Sequence, residues 1–171
     1  MAQSTADSQE QCPAASSETV PFPAAAGGGP VGHALFRAAR ISRMVAGQLL
    51  RRVGLYPGQE LVMMQLWELG PQRQTDLVRL LASDAATMTR TVRRLEHAGF
   101  VRRFPCAHDK RAFIIEATPA SQALRKEVEQ IWTELENALV GDTSDDEKAA
   151  ALHFLEGIES RLVKASAQLG S

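Results

Sequence analysis

The chain has 171 residues, a formal net charge of -1, 44% hydrophobic and 23% charged residues, which is the profile of an ordinary globular domain. No apolar run approaches the roughly 20 residues of a membrane helix and no basic-then-apolar leader opens the chain, so no membrane span and no secretory signal are expected. Charge is unevenly spread: residues 71–111 hold nine basic against four acidic groups, and residues 112–171 hold five against eleven, a segregation that points to one surface meant for a polyanion.

Residues 1–30 are rich in Ala, Ser, Gln, Gly and Pro. Such a segment buries too little apolar surface to offset its ordering entropy, and it reads as a disordered tail. From Val31, the residues Leu35, Ala38, Ser42, Val45, Leu49 and Val53 recur at helical spacing, with Met44 and Leu50 broadening the stripe. Gly54 is placed to end that helix. Tyr56-Pro57-Gly58 makes a turn, and a second helix is expected from Gln59 to Leu69, stopped by Gly70-Pro71.

The next stretch has the layout of two helices joined by a polar turn. A short helix over Arg73 to Leu81 is expected to bury Leu77, Leu80 and Leu81. In the turn Ala82-Ser83-Asp84, Ser83 or Asp84 can accept the free amide protons of the following helix. That helix, Ala85 to His97, places Met88, Val92 and Leu95 inward and exposes Thr87, Thr89, Arg90, Arg93 and Arg94. After Gly99 the period changes. Phe100–Phe104 and Arg111–Ala117 read as two strands around a turn at Pro105–Lys110, a hairpin with a basic tip. Thr118 as N-cap and Pro119 at the first position open a further helix with Leu124, Val128, Ile131 and Leu135 on one side. After Gly141, Ser144 and Glu147 form a capping box for a last helix bearing Ala151, Phe154, Leu155, Ile158 and Leu162.

A threonine- and arginine-rich helix is, by itself, more often a solvated surface than a reading head, and a basic hairpin is equally weak. The order helix, polar turn, basic helix, basic hairpin is far more specific. Guanidinium and hydroxyl groups on such a helix bind phosphates and base edges in a major groove, while His108, Lys110 and Arg111 at the hairpin tip suit an adjacent minor groove. Against an enzyme, the chain has no glycine-rich phosphate loop, nucleophile elbow or HExxH sequence. His33, His97, His108 and His153 show no metal-ligand spacing, and no metal or cofactor is expected.

At this point the sequence resembles the MarR (multiple antibiotic resistance regulator) family over about Val31 to Val163. The strongest piece runs from Ala86-Thr87-Met88-Thr89-Arg90 through Arg93-Arg94-Leu95-Glu96-His97-Ala98-Gly99 to Arg103; Asp109-Lys110-Arg111 matches the D-x-R element of the family's wing. The resemblance implies a mainly α, α+β winged helix with about six helices and a two-stranded β-hairpin wing. Its parts would be a tail at 1–30, an N-terminal dimerisation helix at 31–56, a DNA-binding lobe at 57–117 and C-terminal dimerisation helices at 118–167. Terminal helices of two copies would interlace, and the long apolar stripes agree, since a small monomer does not cover them.

The expected function is a cytoplasmic, sequence-specific regulator of transcription, a repressor by family habit, that binds a pseudo-palindromic duplex as a homodimer. Its expected DNA-contacting set is Ser83, Asp84, Ala86, Thr87, Thr89, Arg90, Arg93, Arg94, Asp109, Lys110 and Arg111, with Arg111 in the minor groove and Asp109 orienting it. Ala86 departs from the family's frequent serine and Arg93 from a common acidic residue. A small aromatic or anionic effector is implied, with His33, Phe36, Arg37, Arg40, Tyr56, Met63 and Trp67 as candidate lining, although Met63 and Trp67 read more readily as core than as lining. The alternative is a winged-helix factor that is ligand-insensitive or redox-responsive through Cys106, whose pKa the nearby Arg102, Arg103 and His108 would lower. Cys12 and Cys106 are not expected to form a structural disulfide.

Overall fold

The computed structural model describes residues 23–106, 109 and 112–169. The chain divides into two units, one ending at Arg37 and the other running Ala38–Ser171. In the first, a 3-10 turn at Ala24–Ala26 falls inside the stretch expected to be a tail, and helix α1, Pro30–Leu50, begins with a proline at its first position, where the missing N–H costs nothing.

In the second unit, α1 tightens into a 3-10 turn at Arg51–Val53 and stops at Gly54, whose φ of 74° is the left-handed conformation that favours glycine. Helix α2 spans Gln59–Leu69, as expected. The Gln59 Oε1 accepts the Tyr56 N–H at 2.9 Å, which closes the turn before it. Strand β1 (Gln72–Arg73) and helix α3 (Gln74–Leu80) follow, then helix α4, Ala85–His97. Strands β2 (Val101–Pro105) and β3 (Phe113–Ala117) are antiparallel, with Val101 opposite Ala117 and Pro105 opposite Phe113. Helices α5 (Pro119–Val140) and α6 (Asp145–Leu169) complete the chain.

The sheet has three strands in the order β1-β3-β2, one more than the expected hairpin. Gln72 pairs with Ile115 and Arg73 with Ile114. Two residues are too few to carry a period-two signal, and the strand exists because β3 offers it a free edge. Phe100, placed by its sequence in the first strand, instead uses its N–H to bond the Leu95 carbonyl at 2.9 Å and so closes α4.

One core joins these elements. Leu50, Leu55, Val62, Met63, Leu66, Leu77, Met88, Val92, Leu95, Ile115 and Val128 are at most 2% exposed, and Ile131 and Leu135 of α5 pack with them. Leu80, expected to be buried, is 50% exposed. Helix α3 is only two turns long, and Leu77 with the partly buried Leu81 already fills its inner side. Thr118 stands at the N-cap of α5 but makes no side-chain cap bond. Its hydroxyl donates instead to the Gly99 carbonyl at 2.7 Å, tying the start of α5 to the end of α4. The capping box of α6 forms as the sequence implies: the Glu147 carboxylate accepts the Ser144 N–H at 2.8 Å, and the Ser144 Oγ accepts the Glu147 N–H at 3.3 Å. Helix α6 nevertheless buries none of its 25 residues.

Candidate nucleic-acid interface

The turn between α3 and α4 is made by backbone geometry. Ser83 donates its N–H to the Val78 carbonyl at 3.0 Å, and Ala82 sits at φ 44°, an uncommon conformation for a residue with a Cβ. Asp84 then caps α4, its Oδ1 accepting the Thr87 N–H at 2.7 Å. The Thr87 hydroxyl, the Thr87 and Ala86 amides and the Arg90 charge hold the Asp84 carboxyl below its ordinary pKa. Of the two capping candidates in the turn, Asp84 is the one used.

Helix α4 is fixed by Met88, Val92 and Leu95, all in the core. The opposite side therefore carries Ala86, Thr87, Arg90, Arg93 and Arg94, all exposed. Arg90 donates from Nη2 to the Thr87 Oγ1 at 3.0 Å, so its guanidinium lies back along the helix toward the cap. Thr89 differs from its neighbours. Its hydroxyl donates to the Ala85 carbonyl at 2.7 Å and accepts from the Gln74 Nε2 at 2.9 Å. A hydroxyl has one hydrogen to give, so Thr89 has no donor left for a phosphate or a base. Gln74, which the sequence reading did not single out, ties α3 to α4 through this contact; a side-chain amide has no periodicity to betray it.

The two arginines of β2 are matched by carboxylates within the fold. Arg102 donates to Glu116, its register partner on β3, at 2.6 Å. That bond raises the pKa of Arg102 and lowers that of Glu116. Arg103 lies 3.6 Å from the Glu96 carboxylate and 4.7 Å from the centre of the Phe113 ring. The wing loop is closed by the Cys106 N–H donating to the Ala112 carbonyl and the Ala112 N–H donating to the Asp109 carbonyl, both at 2.9 Å. Asp109 is exposed; His108, Lys110 and Arg111 lie outside the described residues, and with them the expected orienting contact of Asp109 on Arg111.

The arrangement of a capped, arginine-bearing helix beside a hairpin matches known proteins. The MarR family model matches residues 55–113. An uncharacterized HTH-type transcriptional regulator of Bacillus subtilis (strain 168), YwoH, is 31% identical over 122 residues, covering 71% of this chain and 88% of the relative. The chain belongs to the MarR family. As a member it is a DNA-binding transcriptional regulator with a winged helix. In fold it is similar to a mutant MarR from E. coli complexed with operator DNA, at a TM-score of 0.73 and 20% identity over 80% of this chain and 99% of that one. It is likewise similar to Bordetella bronchiseptica BpsR, whose DNA binding is regulated by 6-hydroxynicotinic acid, at a TM-score of 0.71 and 23% identity over 82% and 98%.

This MarR-family chain also holds a cavity of about 590 Å³ bounded by α1, α2, α5 and the turn that starts α4. Arg43, Glu60, Asp84, Thr87 and Trp132 contribute to its wall. Glu60 is buried, and its Oε2 accepts the Gly58 N–H at 2.7 Å. Loss of water raises the Glu60 pKa; the backbone amides and the Arg43 charge pull it back only in part. Of the candidate effector residues in this unit, Met63 is fully buried core, Tyr56 is exposed, and Trp67 lines a different cavity, between α2 and α5. Arg40 is exposed on α1, between the cavity-lining Ala39 and Ser42 but not itself part of the wall, and His33, Phe36 and Arg37 belong to the other unit. The sequence reading missed Glu60 because a glutamate in the first turn of a helix reads as a surface residue.

Cys106 is 7% exposed. A thiol that senses oxidants must meet them, so this burial does not favour the redox reading. Among the described residues no group of three His, Cys, Asp or Glu is placed to hold a metal ion, and no helix is long and apolar enough to cross a membrane.

Proposed function

We propose that this protein is a cytoplasmic repressor that binds a pseudo-palindromic operator as a homodimer and is released by a small aromatic or anionic effector. The observation that carries the DNA contact is the outward array of Arg90, Arg93 and Arg94 on a helix whose other face is locked into the core. Arg90 and Arg93 reach base edges, where a guanidinium bonds guanine in bidentate fashion, and Arg94 serves the phosphates. Arg111 enters the minor groove. The operator-bound state of the E. coli mutant MarR, which shares the fold, supports this docking.

Support for the dimer comes from α6. A 25-residue helix without one buried residue, exposing Leu152, Phe154, Leu155, Leu162 and Val163, is an apolar surface awaiting a partner. Ile41 and Met44 of α1 and Leu139 of α5 are exposed as well, and a second copy of the same helices covers all of them. Support for the effector comes from the 590 Å³ cavity, whose wall includes the cap and first turn of the recognition helix. An occupant touching Asp84 and Thr87 alters the helix that reads DNA. BpsR, regulated by 6-hydroxynicotinic acid, offers a precedent on the same fold. Arg43 supplies the cation for an anionic ligand.

Selection of bound sequences from random duplexes tests the reading. The enriched sites should show two-fold symmetry with half-sites about 10 base pairs apart. Arg111→Ala should weaken binding to all of them alike. Arg90→Ala should lose about 1–3 kcal/mol on the preferred site and change the preferred base at one position per half-site. Equal affinity and equal preference in both variants would contradict the assignment.

A further inference from the structure

Both tryptophans of the chain, Trp67 and Trp132, line the second cavity, about 410 Å³ between α2 and α5. Its size falls within the range of sites for small organic ligands, roughly 300–1,000 Å³. Met64 and Val128 add apolar wall. The Trp67 indole is held from behind: its N–H donates to the Ser121 Oγ at 3.2 Å, and that buried hydroxyl donates to the Thr118 carbonyl at 2.7 Å. The indole therefore offers the cavity carbon and ring surface, its one polar hydrogen being used elsewhere.

The charged groups at this cavity are Glu68, Glu129 and Arg125. Arg125 lies 3.2 Å from the Glu129 carboxylate and 4.0 Å from that of Glu68. One guanidinium shared between two carboxylates leaves the site with a net negative charge. An anion entering it meets two carboxylates and a cation that is already occupied. A neutral hydrocarbon uses the walls and ignores the rim. A cation with an apolar body satisfies both, because indole faces attract positive charge through their ring quadrupole and the carboxylates attract it directly. We propose that the α2–α5 cavity is a binding site for hydrophobic organic cations. Trp67 thus lines a cavity other than the one formed by the start of α4, and the charge of its rim differs from the anionic alternative the sequence offered. The site shares Trp132 with the larger cavity and is otherwise built from different residues.

The test uses the full chain without DNA, so its outcome is independent of operator binding. Tetraphenylphosphonium and tetraphenylborate have nearly the same shape and opposite charge; each is titrated against tryptophan emission and by calorimetry. The expected result is saturable quenching by the cation at an affinity at least tenfold above that of the anion, a difference of about 1.4 kcal/mol. Glu68 and Glu129 have largely exposed side chains, so Glu68→Gln with Glu129→Gln leaves the fold intact. It should reverse the preference, because Arg125 then stands alone at the rim. Arg125→Gln should tighten the cation several-fold, which keeps the proposal testable by a second, independent variant. Equal affinity for the two ions, or cation binding unmoved by either substitution, overturns it.

Discussion

Glu60 is buried beside the cavity that reaches the recognition helix, and its protonation links folding to pH. Burial disfavours the carboxylate, so the folded pKa lies above the unfolded one. The associated stability is fully present below the unfolded pKa and is lost as pH rises through the raised folded value. Glu60→Gln keeps an acceptor for the Gly58 N–H and cannot ionise. It should flatten the decline in urea midpoint as pH rises above about 4.5, the ordinary value of the carboxyl, and leave the protein at least as stable as the wild type at neutral pH. Parallel midpoint curves for the two proteins would show that the carboxyl does not titrate differently in the folded state.

Helix α4 separates groups that hold it from groups free to read DNA. Thr89 belongs to the first kind: its hydroxyl joins Gln74 of α3 to the Ala85 carbonyl. Thr89→Val keeps the shape and removes those bonds, so it should cost about 1 kcal/mol in urea denaturation without altering the preferred operator bases. A changed base preference at unchanged stability would return Thr89 to the reading face. The helix itself was legible because Met88, Val92 and Leu95 repeat at helical spacing behind a capping Asp84, and α2 was legible from the glycines on either side of it. What periodicity does not carry was missed: the two-residue β1, the Gln74 contact, and the buried Glu60, whose environment is supplied by α1 and the turn at Gly58 and not by its own neighbours in sequence. The arginines of β2 counted toward the basic segment, yet Arg102 and Arg103 are matched by Glu116 and Glu96 across turns of the chain.

For the whole molecule, the two ends of the second unit make opposite demands. The winged-helix part closes its own core, whereas α6 leaves Phe154 and Leu155 about half exposed. Phe154→Glu with Leu155→Glu should weaken self-association by about 3 kcal/mol, or roughly 100-fold. Sedimentation at micromolar concentration should then find monomer for the variant and dimer for the parent, with helical circular dichroism retained in both. A dimer undiminished by both charges would place the contact on another face.

Strand β1 bonds to β3 on one side and runs straight into α3 on the other, so the hairpin and the helix pair are yoked. Movement of the wing should therefore carry α3 and, through the Gln74–Thr89 bond, α4. A lobe yoked in this way should move as one piece. In a two-lobed assembly, a small molecule that shifts the start of α4 would then carry the wing with it and change the stride from one lobe to the other along the double helix. Sliding one half-site by single base pairs would then measure that stride with and without the ligand.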